Sequence, residues 1–229
     1  MQKHTLVFTT GAPGSCWSMI SNRLKNIIPN FDKSDENEER RHQMPKDHVT
    51  QNYKIIDQSW KQGTHRGSYF GPYHDYGHGF DNIPKNYTID TFINECFKPY
   101  SNKEKTNKLI RSHWFAYNLD WIWENCKGHK MLLVWREPTS AENWWYSMGG
   151  WDINYPVYTW YENHEKMSMQ IKKESDLVLE FAKKHNIEWW DFDVEGQWLY
   201  SRFPDATVIE PKADPIIEDT IKVAFFEIV

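Results

Sequence analysis

The stretch Thr5-Leu-Val-Phe-Thr-Thr-Gly-Ala-Pro-Gly-Ser-Cys-Trp-Ser18 sets the frame for the chain. The apolar run His4–Thr9 predicts a first strand. Gly11 and Gly14 then permit tight backbone turns. Ser15–Ile28 places Trp17, Ile20, Leu24, Ile27 and Ile28 at helical spacing, and Pro29 ends the pattern. Strand, glycine loop and helix in that order make an anion cradle. The N–H groups that open a helix point outward with partial positive charge, and Ser15 and Ser18 add hydroxyl donors. The alternative is an ordinary strand-to-helix turn, but the position directly behind the first strand favours the anion site. No Lys-Ser/Thr pair follows the glycines, so this is not a Walker A loop and ATP hydrolysis is disfavoured.

Further along, Ser34–Gln43 is charged all round and predicts a solvated helix. Thr88–Phe97, Phe115–Asn125, Thr139–Met148 and Glu162–His185 also predict helices. Lys108–Ser112, Lys130–Trp135, Ile187–Phe192 and Ala206–Ile209 predict strands, with a short helix at Glu195–Phe203. Ile216–Val229 fits a helix or a strand equally. Strands separated by helices imply an α/β domain with a mostly parallel sheet. Residues 45–87 break the rhythm. Their centre, Gly67-Ser-Tyr-Phe-Gly-Pro-Tyr-His-Asp-Tyr-Gly-His-Gly-Phe80, predicts an irregular loop or lid; a loop of that length is usually functional or disordered, and the aromatic content favours function.

A chain of 229 residues and 27.5 kDa is expected to form one domain over 1–229 and to bury a core without metal or disulfide staples. The net charge of −5 argues against a general nucleic-acid binder. Thirteen Trp, 12 Tyr and 12 Phe supply core mass despite a mean hydropathy of −0.80. Cys16, Cys96 and Cys126 are odd in number and widely spaced, which points to a reducing, cytoplasmic setting. There is no run of about 18 apolar residues to span a membrane and no signal-peptide pattern. His65, His74 and His78 with Asp75 are taken as polar loop residues, and no metal is expected.

Two further motifs sit at strand ends: Arg111-Ser-His113, and Arg136-Glu-Pro138. Ligands of an open parallel sheet gather outside the carboxyl ends of its strands, so both motifs and the loop at 11–18 are expected to face one crevice. Taken singly, His113 reads as a packing histidine and Arg136 as a salt-bridging residue. Together with the loop they read as a site.

These motifs resemble those of sulfotransferases that use 3′-phosphoadenosine 5′-phosphosulfate (PAPS). The resemblance covers the first 30 residues and about 105–150. Residues 170–210 match only in element order. It implies a three-layer α/β sandwich of the P-loop-like kind. It also implies that Gly11, Ala12, Pro13, Gly14, Ser15, Cys16, Trp17 and Ser18 hold the 5′-phosphosulfate. By the same resemblance His113 is the catalytic base and Arg136 binds the 3′-phosphate, with Trp144 where the family has a serine and Asn143 beside it. Gly14 stands where the family carries Lys or Arg, so another cation is required, with Arg23 and Arg111 as candidates. The late Arg/Lys-Gly motif is absent. Tyr69, Phe70, Tyr73 and His74 are expected to meet a carbohydrate or small alcohol acceptor. The implied activity is sulfuryl transfer from PAPS to a hydroxyl or amine, leaving 3′-phosphoadenosine 5′-phosphate (PAP). The competing readings are a non-catalytic nucleotide-binding protein on the same fold, a P-loop kinase, and a carbohydrate-binding module.

Overall fold

The computed structural model describes residues 4–28, 30–37, 67–72, 74–102, 106–147, 163–192 and 220–229. The element order is β1 (Thr5–Thr10), α1 (Trp17–Ile27), α2 (Ile83–Asn86), α3 (Ile89–Phe97), β2 (Asn107–Arg111), α4 (Leu119–Asn125), β3 (Lys130–Arg136), α5 (Pro138–Ser147), α6 (His164–Lys184), β4 (Trp190–Phe192) and β5 (Ile221–Glu227). Short 3-10 turns occupy Ser34–Asn37, Phe80–Asn82 and His113–Tyr117. The predicted elements at Glu195–Phe203 and Ala206–Ile209 lie outside the described residues, as do residues 38–66.

The five strands form one open sheet in the order β2-β1-β3-β5-β4. β1 pairs in parallel with β2 and β3, while β5 runs antiparallel to β3 and β4. The sheet is therefore mixed, where the sequence predicts a mostly parallel one. The ambiguous C-terminal segment is the strand responsible. It pairs along the whole of β3, from Lys130↔Glu227 to Arg136↔Ile221.

Alternation along the strands separates two apolar faces. Leu6, Phe8, Ile110, Met131 and Leu133 face α3, α4 and α6. Val7, Leu109, Leu132 and Val134 face Trp17, Ile20 and Leu24 of α1. Helices thus cover both faces, giving three layers. Cys96 and Cys126 are free thiols inside the larger cluster, where burial pushes the Cys126 thiol up to about 12 and keeps it inert.

The α1 side also carries buried charge. Lys25 pairs with Asp35 at 2.5 Å and Lys108 with Asp32 at 2.9 Å, with all four side chains at most 3% exposed. Burial pushes the Asp32 carboxyl up, but hydrogen bonds from Ser34 and Lys108 outweigh it and hold the group below its ordinary value.

The predicted helix Phe115–Asn125 is split at Asn118. Its amide nitrogen donates to the carbonyls of Phe80 and Trp114, and its amide oxygen accepts from the Ile83 N–H at 3.0 Å. One side chain therefore pins the segment around Phe80 to the chain that follows β2. Local hydrogen bonding of this kind competes with helix, which explains the break.

The lid expected at 45–87 is corrected where it is described. The Phe70 N–H donates to the Arg111 carbonyl at 2.9 Å, which docks the segment at the carboxyl end of β2, the expected edge. It is not an exposed wall, however. Phe70 and Phe80 are 1% and 0% exposed, stack at 5.6 Å, and join the main core. Gly77, at φ +72°, makes the tight return possible and donates its N–H to Glu95. Aromatic rings here do the work that aliphatic side chains do elsewhere.

Candidate functional site

The sheet order places the three sequence motifs side by side. β1 is flanked by β2 and β3, so the loop at 11–18 leaves the central strand, His113 follows one neighbour and Arg136 ends the other. Thr10 Oγ1 donates to the His113 carbonyl at 3.2 Å, and the Ser112 N–H donates to the Thr9 carbonyl at 3.1 Å. Helix α6 reaches both stations. Its Met167 and Ile171 pack with Ala12 and Ala141, and Glu174, one turn on, meets His113.

The loop is built from two left-handed residues, Gly14 at φ +80° and Cys16 at φ +64°. The Ser15 N–H closes a turn onto the Ala12 carbonyl at 3.1 Å. Gly14 is required twice. Its φ suits glycine, and a Cβ there would stand 1.8 Å from the Ala141 carbonyl oxygen of α5. No Lys or Arg side chain can leave this position without moving that helix. Cys16 holds the N-cap position of α1, where no side chain caps the helix and no acid lies in the first turn. By contrast, Thr88 caps α3 and Asn163 caps α6. The α1 N-terminus therefore keeps its positive end. Among the described residues, Thr9 Oγ1, Ser15 Oγ and Ser112 Oγ are buried with no hydrogen-bond partner.

His113 is 12% exposed at its side chain. Its Nδ1 lies 3.2 and 3.3 Å from the two carboxylate oxygens of Glu174, a side chain 2% exposed. Tyr117 donates its hydroxyl to Gln170 Oε1 at 2.6 Å and lies 3.3 Å from Glu174 Oε1. Burial, with the Glu174 charge behind it, pushes the Tyr117 hydroxyl well above its ordinary range, so it remains protonated and a donor. The Trp114 ring lies 4.8 Å from the imidazole.

Arg136 occupies a different setting. It is 4% exposed. Its Nη1 donates to the Gly14 carbonyl at 3.0 Å and lies 3.8 Å from Cys16 Sγ, while the guanidinium sits over the Trp144 ring at 5.2 Å. It supports the loop from within, and Trp144 supports it in turn. Asn143 is exposed on α5.

The remaining sequence candidates divide cleanly. Arg111 is 0% exposed, donates to Asn22 at 2.7 Å and to the Ser68 carbonyl at 3.3 Å, and lies 4.3 Å over the Tyr69 ring. It belongs to the buried polar layer. Arg23 lies 5.6 Å over the Phe192 ring. Tyr69, 5% exposed, packs edge-on against Trp17 at 5.5 Å, so Tyr69 and Phe70 are core rings and not acceptor contacts. His74 is half-buried, 6.0 Å from Tyr69. Tyr73 and His65 lie outside the described residues. Among the described residues no cluster of His, Cys, Asp and Glu could hold a metal ion.

Sequence reasoning missed Glu174. Its signal was present: Met167, Ile171, Glu174, Val178 and Phe181 form the buried stripe of α6, and one of the five is an acid. A carboxylate at a core position of an amphipathic helix has to be paired, and that expectation alone identifies it.

No helix among the described residues is long and apolar enough to cross a membrane. Neither the protein-family models, nor the curated proteins, nor the solved structures contain a match to this chain.

Proposed function

We propose that the protein is a PAPS-dependent sulfotransferase acting on a hydroxyl or amine acceptor of carbohydrate or small-alcohol type. The observation that carries this reading is the alignment of His113, the loop at 11–18 and Arg136 along the adjacent ends of β2, β1 and β3. On this reading the finer fold assignment, a P-loop-like sulfotransferase sandwich, goes with the activity.

The loop fits the 5′-phosphosulfate end of the donor. The uncapped N-terminus of α1, the partnerless Ser15 hydroxyl and the Arg136 charge beneath Gly14 together favour an anion. The acceptor oxygen forms its bond to sulfur as the bond from sulfur to the phosphate oxygen breaks, and that oxygen leaves with the electron pair. The acceptor proton passes to His113. Such a reaction asks mainly for positioning and for charge stabilisation at the leaving oxygen. Arg136 contributes through the loop it holds, and a 3′-phosphate would meet it only beside Gly14 and Trp144.

The test is thermal melting with ligands. PAP at a hundredfold excess over its Kd should stabilise the protein by about 2.7 kcal/mol, several degrees in Tm, and ATP should not. Equal shifts with both nucleotides would sink the donor assignment. Transfer of labelled sulfate from PAPS to a panel of sugars, phenols and alcohols then tests the reaction.

One observation favours a second reading, a nucleotide-binding protein without turnover. The position of the family's loop cation is Gly14, closed off by Ala141, and Arg111 is spent in the buried layer. PAP binding with no transfer to any acceptor would select it.

A further inference from the structure

Glu174 is a carboxylate in the wrong place for packing. It sits 1% exposed in the apolar stripe of α6, where desolvation alone would expel a charge. Among the described residues its polar partners are His113 and Tyr117. Both carboxylate oxygens lie within 3.3 Å of one imidazole nitrogen, Nδ1. A carboxylate can only accept, so the proton of a neutral His113 sits on Nδ1 and Nε2 keeps its lone pair. Gln170 and Glu174 stand one turn apart on α6, and Tyr117 spans them with its hydroxyl, which fixes the carboxylate in turn.

We propose that Glu174 is the positioning residue for His113: it holds the ring through Nδ1–H and so commits Nε2 as the atom that takes the acceptor's proton. This rests on the sulfotransferase reading for the identity of the acceptor, but not for the state of the ring. As the proton arrives at Nε2 the imidazole becomes a cation, and the buried carboxylate 3.2 Å away stabilises it. The same contact turns the ring so that Nε2 faces away from α6. Trp114 lies against the imidazole, its ring centroid 4.8 Å away and its plane tilted by 39°, and limits the room for the ring to turn. The pair also ties the base to the loop, because the helix that carries Glu174 packs against Ala12 through Ile171.

The experiment is long-range nitrogen–proton NMR of the full chain, labelled with 15N-histidine, with His113 assigned by its loss in His113→Asn. The wild-type spectrum should show the neutral ring protonated on Nδ1. A wild-type His113 protonated on Nε2 overturns the proposal outright, with no variant needed. Glu174→Leu extends the apolar stripe already formed by Met167, Ile171 and Val178, so the protein should fold with Tm equal or higher. In that variant the proton should move to Nε2, kcat should fall roughly 10²–10⁴-fold, and the KM for PAPS should stay unchanged. An unchanged ring spectrum in Glu174→Leu would also overturn it. Should that variant fail to fold, Tyr117→Phe loosens the carboxylate without emptying the stripe, and a mixed population of ring forms is expected. If the ring behaves as stated but the wild type transfers no sulfate, the functional reading falls and the Glu174–His113 pair stands.

Discussion

The ends of β2 and β3 each deliver one basic residue to the same edge of the sheet, and the two side chains meet opposite surroundings. His113 is gripped at one nitrogen by Glu174 and remains partly exposed. Arg136 is covered, with its guanidinium engaged by the Gly14 carbonyl and the Trp144 ring. Strand-end position brings a residue to this edge of the sheet. The neighbouring helix then sets the surroundings: α6 offers a carboxylate, and α5 offers an aromatic face and a backbone that closes over Gly14.

The largest expected effect tests the β2 side. His113→Asn keeps an amide donor near the place of Nδ1, so Glu174 stays paired, but it removes the proposed base. Sulfuryl transfer should fall about 10²–10⁴-fold while PAP affinity and Tm hold nearly constant. A parallel loss of PAP affinity would mean that His113 serves the nucleotide, and the contrast with Arg136 would collapse. His113→Ala is the poorer probe, because it leaves the buried Glu174 carboxylate with Tyr117 in place of two partners and should cost stability as well.

Next comes the closure of the loop. Gly14→Ala combines a left-handed backbone with a methyl placed 1.8 Å from the Ala141 carbonyl. The expected destabilisation is about 2–5 kcal/mol, read as the midpoint of urea unfolding. PAP affinity should fall with it, since the loop must shift. Wild-type stability in this variant would show that the loop stands off α5, and would restore room for a cation in the site.

The sequence carried the frame of this comparison but not its resolution. The strand β1, the glycine loop and α1 were legible because apolar periodicity changes from strand to helix across two glycines. The strand ends at Arg111–His113 and Arg136 were legible for the same reason. β5 was not, because Ile221-Lys-Val-Ala-Phe-Phe-Glu227 carries apolar residues on both faces, and only its pairing with β3 excludes a helix. The aromatic segment at 67–80 was misjudged because composition cannot tell a ring held for a ligand from one that fills a core. Asn118 and the Arg111 carbonyl, which dock that segment, lie some 40 residues away in sequence. The fates of Arg111 and Arg136 were hidden likewise, since their acceptors, Asn22 and the Gly14 carbonyl, become neighbours only once the sheet has formed.

The smallest effects probe the β3 side and decide whether Arg136 is a support or a ligand contact. Arg136→Ala removes a buried charge-assisted hydrogen bond and leaves the Gly14 carbonyl short of its donor. The expected loss is about 1.5–3 kcal/mol of stability without any nucleotide present. Trp144→Leu keeps the hydrogen bond and removes only the ring beneath the guanidinium, which should cost about 0.5–2 kcal/mol. The informative quantity is the pairing of stability with affinity. For a residue that acts by holding the loop, PAP and adenosine 5′-phosphate should weaken by similar factors in Arg136→Ala, because both would depend on the same proposed 5′-phosphate cradle. For a residue that touches a 3′-phosphate, PAP alone should weaken, and the free protein should lose less. Calorimetric titration of both nucleotides into both variants separates the cases. A selective loss of PAP affinity with little change in urea midpoint would move Arg136 to the ligand side and make the two strand ends alike.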